Sequence, residues 1–155
     1  MNEAALKGIY NFLPISEAIA TSGQPTEMQF EAIRDAEYDV VINLALPTSS
    51  NALPNERELV EQLGMKYVHI PVEWEQPTLE DAEQFFVAMQ NYSEQKVFVH
   101  CAANMRVSAF MFLYRTLYQK VELTAAEQSL HQIWTPNPTW QQFMNEVVQS
   151  HTKLK

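Results

Sequence analysis

Short apolar runs alternate with amphipathic segments along this chain. Three of the runs are rich in β-branched and aromatic residues, as strands are: Asp39 to Leu44, Lys66 to Val72 and Lys96 to His100. Two weaker strand candidates precede them, at Phe12 to Ile15 and Ile19 to Ser22. Because strands that alternate with helices usually pair in parallel, the pattern predicts an α/β fold with a mainly parallel sheet.

Six amphipathic segments between and after these runs predict helices. They cover residues 26–37, 55–63, 78–92, 107–119, 124–134 and 139–149. In the first of them, Met28, Phe30 and Ile33 are spaced for one apolar face. The prediction is therefore a compact three-layer domain over residues 1–155, with a mainly parallel central sheet flanked by helices.

Local signals mark the ends of several predicted helices. Thr78 and Asp81 have the spacing of an N-cap residue and its acidic partner, and Thr124 and Glu127 repeat that spacing. Gly64 is a natural stop for the second helix. We therefore expect helix starts at Thr78 and Thr124.

Size and charge narrow the class of protein. A chain of 155 residues can bury one core and is too short for two ordinary domains. Its longest apolar stretch, Val107 to Tyr118, falls short of the roughly 20 residues that a membrane helix needs, and the N-terminus does not read as a secretory signal. A net charge of −9 without a Lys/Arg cluster disfavours binding to nucleic acid or to anionic membranes.

The chain has one cysteine, Cys101, which excludes an internal disulfide and favours a reducing cytoplasm. Its four histidines, His69, His100, His131 and His151, have no short-range spacing with one another. We therefore expect no metal site and no cofactor. All but His100 are interpreted as ordinary surface or packing residues.

The chemically informative segment is an apolar strand, a short loop that opens with Cys101, and a helix that begins near Arg106. Backbone amides of such a loop can point inward, the helix N-terminus adds partial positive charge, and Arg106 adds a planar cation. That field would bind an oxyanion and favour the nucleophilic thiolate. The alternative is a buried, inert cysteine. The predicted phosphate-binding residues are Ala102, Ala103, Asn104, Met105, Val107 and Ser108.

The sequence HCAANMRVS resembles the signature loop of the protein-tyrosine and dual-specificity phosphatases, HCxxGxxRS. Its four residues between Cys101 and Arg106 are similar to the CxSGTRS loop of a bacterial branch often called beta-lactamase hydrolase-like phosphatases. SGQP at 22–25, VINL at 41–44 and LGMKYVHIPV at 63–72 resemble that branch in the same order.

This resemblance implies a phosphoric monoester hydrolase of phosphatase-like α/β fold. It would act through a phosphocysteine on a phosphorylated protein or small molecule, with Cys101 as nucleophile and Arg106 as phosphate ligand. The family carries an Asp general acid on a loop that corresponds to IPVEWEQPT, at a position near Trp74. Glu75 is therefore the candidate acid, with Glu73 as the weaker candidate.

Other residues would support the loop or the core. In the family, the histidine before the nucleophile shares hydrogen bonds with the loop backbone and orients the thiolate, a role that falls to His100. Asn43 either braces a neighbouring loop or caps its strand. Trp74 either lines the substrate mouth or covers the core, whereas Trp134 and Trp140 are expected to pack the C-terminal helices.

Departures from the family pattern keep two other functions open. Asn104 replaces a glycine of the bacterial branch, and Val107 follows the arginine where Ser or Thr is usual. Asn is the non-glycine residue that best tolerates a left-handed backbone, so the loop geometry can survive. One alternative is a pseudophosphatase that binds phosphate-bearing ligands. The other is a rhodanese-like sulfurtransferase, although VINLALP lacks the acidic–basic pair usual in rhodaneses.

Overall fold

The computed structural model describes residues 2–153, which contain five strands and seven helices. The strands are β1 (Leu13–Pro14), β2 (Ile19–Ser22), β3 (Val40–Asn43), β4 (Lys66–His69) and β5 (Val97–His100). The helices are α1 (Asn2–Leu6), α2 (Glu27–Asp35), α3 (Glu56–Gln62), α4 (Leu79–Asn91), α5 (Met105–Leu117), α6 (Leu123–Ile133) and α7 (Pro138–Lys153). No helix in this range is long and apolar enough to cross a bilayer.

The sheet has the strand order β1-β2-β5-β3-β4, and all pairs are parallel except β1 with β2. Strand β5 is central, and its last residue, His100, pairs with Ser22 on one side and Asn43 on the other. The carboxyl ends of three parallel strands therefore meet around the start of the Cys101 loop. This edge of an α/β sheet is where such folds bind ligands.

Alternate residues of the central strands face two separate apolar layers. Val40 and Val99 belong to the core cluster that includes residues of α4, α5 and α7. Val41 and Phe98 belong to the cluster that includes residues of α1, α2 and α3. A parallel sheet covered on both faces needs such continuously apolar strands, and β3 is buried at all of its positions. The predicted three-layer α/β fold is confirmed.

Two of the local predictions are wrong, and one is confirmed. Met28 is 79% exposed, whereas Phe30 is fully buried, because a two-residue step turns about 200° around a helix. Thr124 lies inside α6, since the helix begins after Glu122, whose carbonyl accepts from the Ala126 amide at 3.0 Å. The Thr78 prediction is confirmed, with both hydrogen bonds of a capping box present.

Candidate active site

The loop between β5 and α5 reaches its helix through a left-handed residue. Asn104 has φ 67° and is fully buried, which confirms that asparagine supplies the conformation a glycine would otherwise provide. Its side-chain amide donates to the Asn11 carbonyl at 2.9 Å and to Thr21 Oγ1 at 3.1 Å. The side chain thus fixes the loop to the segment around β1 and β2.

Most of the loop amides point to no acceptor of the protein. In the part of the chain that the structure describes, five of them donate no hydrogen bond: those of Ala102, Ala103, Met105, Arg106 and Val107. The next amide, of Ser108, donates to the Asn104 carbonyl at 2.9 Å and begins the regular helix. The amides of Met105, Arg106 and Val107 are the first donors of α5, which have no partner within any helix, and with those of Ala102 and Ala103 they can donate to an external acceptor.

Arg106 adds a buried cation to these donors. Its side chain is 7% exposed, and Nη1 donates to the Val72 carbonyl at 2.8 Å. Among residues 2–153, no carboxylate forms an ion pair with it. A guanidinium at the positive end of a helix is unfavourable unless an anion compensates it, so the arrangement suits an oxyanion ligand.

Cys101 immediately precedes these donors and is 1% exposed, as a free cysteine. It belongs to the same apolar cluster as Val99 and Phe110. Burial alone would fit an inert cysteine as well as a nucleophile beneath an anion site. The unpaired amides that follow it in the loop and the buried guanidinium of Arg106 favour the second interpretation.

His100 connects the loop to a buried carboxylate that the sequence analysis does not identify. His100 Nε2 lies 2.6 Å from Glu56 Oε2, and its Nδ1 lies 3.2 Å from the Cys101 carbonyl oxygen. Glu56 also accepts from Gln24 Nε2 at 2.8 Å and from the Tyr67 hydroxyl at 2.9 Å. His100 is fully buried and Glu56 is 5% exposed, so the pair is shielded from water.

This network changes the acidity of its members. Burial raises the pKa of Glu56, but the charge of His100 and the hydrogen bonds from His100, Gln24 and Tyr67 outweigh burial, so the pKa lies below its ordinary value of 4.5. Burial, followed by the charge of Glu56, raises the pKa of Tyr67. Glu56 is therefore ionised and the Tyr67 phenol is protonated at neutral pH.

Asn43 caps the end of its strand, one of the two roles that the sequence leaves open. Its carbonyl oxygen accepts from the Ala45 amide at 2.8 Å and so caps the end of β3. Its amide donates to the Tyr67 hydroxyl at 2.9 Å and so braces the network around Glu56. Asn43 therefore donates to Tyr67, and Tyr67 in turn donates to Glu56.

The segment that carries the candidate acids follows Val72. Glu73 and Glu75 are both exposed, and Trp74 between them is partly buried. The Trp74 carbonyl accepts from Trp140 Nε1 at 2.8 Å, and its ring centroid lies 5.0 Å from that of Trp134. Trp74 thus packs on the C-terminal helices, and the packing role predicted for Trp134 and Trp140 is confirmed.

Two residues predicted to bind phosphate point elsewhere with their side chains. Val107 is fully buried in the core. The Ser108 hydroxyl donates to the Met105 carbonyl at 2.9 Å and accepts from Trp134 Nε1 at 3.0 Å. Val107 can therefore contribute only its amide to a ligand, and both donor groups of Ser108 are already used.

Gly23 and Glu56 are the supporting residues with the least visible sequence signals. A Cβ on Gly23 would lie 2.7 Å from Tyr10 Cδ2 and 2.8 Å from the Ala102 carbonyl oxygen, so only glycine fits against the loop. Gly23 stands in the SGQP motif, which does single it out. Glu56 is one of three acidic residues in α3, and no pattern distinguishes the buried one from its neighbours.

The fold and the comparisons with known proteins together define a class: the cysteine-dependent phosphatases related to the dual-specificity enzymes. Residues 13–150 match the profile of a family described as DSP-PTPase phosphatase fused to NAD+ kinase. The chain belongs to this family, which confirms the resemblance at the level of the superfamily. No match is found among curated proteins.

Solved structures agree with this assignment. A DUF442 protein of Shewanella putrefaciens CN-32, provisionally described as a phosphatase, is 38% identical with a TM-score of 0.86, covering 96% of this chain and 97% of that chain. The core catalytic domain of the PP-IP phosphatase SIW14 from S. cerevisiae is 16% identical, with a TM-score of 0.71 over 94% and 93%. PTPMT1 in complex with PI(5)P is 16% identical, with a TM-score of 0.78 over 92% and 97%. The last two share the fold.

Proposed function

We propose that the protein hydrolyses phosphoric monoesters through a phosphocysteine on Cys101. The observation that carries the proposal is the buried Arg106 without a carboxylate partner, beside amides that have no acceptor within residues 2–153. These groups would bind the three non-bridging oxygens of a phosphoryl group. The substrates would be phosphorylated proteins or small molecules, and the reduced cysteine suits the cytoplasm.

In the first step the Cys101 thiolate attacks phosphorus, the S–P bond forms, and the bond from phosphorus to the ester oxygen breaks. The leaving oxygen takes a proton as it departs with the electron pair of that bond. In the second step water attacks phosphorus, the S–P bond breaks, and inorganic phosphate and the thiolate are released. The charge on the equatorial oxygens is balanced throughout by Arg106 and the loop amides.

We assign the proton of the leaving group to Glu75. Support comes from its place in the turn that follows Val72, whose carbonyl is held by Arg106. The variant Glu75→Gln should slow hydrolysis of phenyl phosphate by about 100-fold and of 4-nitrophenyl phosphate far less, because a good leaving group needs no acid. Glu73→Gln is the matched control, and equal effects of the two variants on both substrates would remove Glu75 from this role.

A phosphate-binding pseudophosphatase is the second candidate, favoured by one specific observation. The first hydroxyl after the arginine is that of Ser108, and it is already bonded to Met105 and Trp134. No hydroxyl of helix α5 is therefore placed to steady the thiolate in the way usual for the family. Such a protein would bind phosphate through the same loop and would not turn over.

Hydrolysis of 4-nitrophenyl phosphate by the wild type and by Cys101→Ser separates these functions. The proposed enzyme loses all measurable turnover in the variant and still binds phosphate. Phosphate binding without turnover in the wild type would establish the pseudophosphatase. Transfer of sulfur from thiosulfate to cyanide, abolished in the same variant, would instead show a rhodanese-like enzyme.

A further inference from the structure

Both ring nitrogens of His100 face oxygen atoms. Nε2 lies 2.6 Å from a carboxylate oxygen of Glu56, and Nδ1 lies 3.2 Å from the carbonyl oxygen of Cys101. A carbonyl oxygen can only accept, and an ionised carboxylate can only accept. A neutral imidazole has one N–H and one lone pair, so either tautomer would direct a lone pair at an oxygen in a site without water exposure.

The remaining contacts show that Glu56 is the acceptor in this pair. Its Oε1 accepts from Gln24 Nε2, whose nitrogen also donates to the Pro25 carbonyl. Its Oε2 accepts from the Tyr67 hydroxyl, because that hydroxyl oxygen is itself occupied by the Asn43 amide donor. These two other donors stabilise the ionised form of the Glu56 carboxylate, which therefore accepts from His100 as well.

We propose that Glu56 is a positioning residue that holds His100 as an imidazolium, with a proton on each ring nitrogen, against the backbone of Cys101. The imidazolium lies between the Glu56 carboxylate and the Cys101 backbone, so its positive charge is nearer to that residue than the compensating negative charge is. Nδ1–H fixes the Cys101 carbonyl at the point where the chain leaves β5. This inference rests on the proposed function in taking Cys101 as the nucleophile.

Few other charges act on this pair. On its α2 side, the edge of the uncharged Phe30 ring faces His100, with 5.8 Å between ring centroids. On its β4 side stand Tyr67, protonated at neutral pH, and His69, which bonds the Ala45 carbonyl. Arg57 of α3 lies over the Tyr67 ring, 5.0 Å from its centroid. Glu56 is thus the carboxylate in direct contact with His100.

The test is the protonation state of the His100 ring, read from its two ¹⁵N resonances in the whole protein. In the wild type, both nitrogens should still carry protons at pH 8, where a free imidazole is neutral. In Glu56→Gln, one nitrogen should lose its proton by that pH. The pH of half-maximal alkylation of Cys101 by iodoacetamide should also rise by about one unit, as expected from loss of a fixed nearby charge.

Glu58→Gln is the matched control, because Glu58 is an exposed acid of the same helix; it should change neither reading. A singly protonated His100 in the wild type at pH 8 would overturn the inference, and this result does not require any variant to fold. An unchanged alkylation profile in folded Glu56→Gln would also overturn it. A doubly protonated His100 in a protein that hydrolyses no aryl phosphate would instead refute the proposed function and leave the charge assignment standing.

Discussion

The two sides of the Cys101 loop differ in how their polar groups are satisfied. Behind the loop, the side chains of His100, Glu56, Tyr67 and Asn43 form a buried network and are bonded to one another. In front of it, a run of amides and the Arg106 guanidinium lack an anionic partner within residues 2–153. Both regions are polar and both adjoin the central strand, yet only in the first do the named side chains find their partners within the protein.

This difference separates support from binding. A satisfied buried network resists rearrangement, because breaking any one contact leaves another polar group unpaired. In the proposed function, the unsatisfied side is the one that would gain free energy from an oxyanion. The loop would then already be held in a binding geometry before the ligand enters, which is the arrangement that electrostatic catalysis requires.

The largest effect should come from breaking the rear network with Glu56→Ala. This change leaves the His100 ring, the Gln24 amide and the Tyr67 hydroxyl without their shared acceptor, and removal of one partner from a buried pair costs about 3–5 kcal/mol. Urea unfolding at pH 7 measures the loss. A change below about 1 kcal/mol, the range of exposed ion pairs, would show that the network adds no rigidity.

The pH dependence of stability tests the same contact. Because folding lowers the pKa of Glu56, its contribution is fully present above its ordinary value of 4.5 and is lost as the pH falls below that value. The difference in unfolding free energy between the wild type and Glu56→Gln should therefore shrink as the solution is acidified below pH 4.5. A difference that grows below that pH would contradict the sign of the shift.

On the front side, Arg106→Ala should weaken binding of inorganic phosphate by about 2–3 kcal/mol, or roughly 30- to 150-fold, the worth of a charge-assisted contact. Isothermal titration calorimetry measures the affinity. Arg115→Ala serves as a control, because Arg115 lies on the same helix and donates to Ser129 instead. Equal phosphate affinity in wild type and Arg106→Ala would place the guanidinium outside the site.

Gly23→Ala tests how tightly the Cys101 loop packs against the segment that contains Gly23. The added methyl would meet the Ala102 carbonyl and the Tyr10 ring at under 3 Å, so the loop must shift at a cost of about 1–3 kcal/mol. Thermal unfolding and phosphate affinity should both fall. Gly64→Ala is the control for replacing a glycine where there is no steric contact. An added Cβ there meets no atom within 4 Å, and only the positive φ of Gly64 opposes the change.

The smallest effect concerns the left-handed residue of the loop. Asn104→Gly and Asn104→Ala both lose the hydrogen bonds to Asn11 and Thr21, but φ 67° strains only the alanine variant. Alanine should therefore be the less stable of the two by about 1–2 kcal/mol. Equal stabilities in chemical denaturation would mean that the loop relaxes out of the left-handed conformation.

Much of this architecture could be predicted from the sequence because it depends on local pattern. The apolar runs locate β3 and β5, and the segment from Cys101 to Arg106 identifies the loop. Glu56 could not be found in this way, because its burial depends on contacts between α3 and the distant end of β5. Met28 was misplaced because three apolar residues nearby in sequence need not share a helix face.

The parts of the site that depend on side-chain direction were also beyond the sequence. Nothing in HCAANMRVS shows that Ser108 bonds Trp134, or that Arg106 reaches the carbonyl of Val72. Both contacts join residues that are far apart along the chain. The role of Glu75, the single-domain organisation of residues 1–155 and the nucleophilic role of Cys101 stay predictions.

The central claim, that the loop binds a tetrahedral oxyanion, is tested most directly by titrating ¹⁵N-labelled protein with inorganic phosphate. The amide resonances of residues 102, 103, 105, 106 and 107 should shift together along one saturable curve. The Ser108 amide, already bonded to the Asn104 carbonyl, should move much less. Saturable shifts confined to other parts of the chain, or none at millimolar phosphate, would contradict the claim.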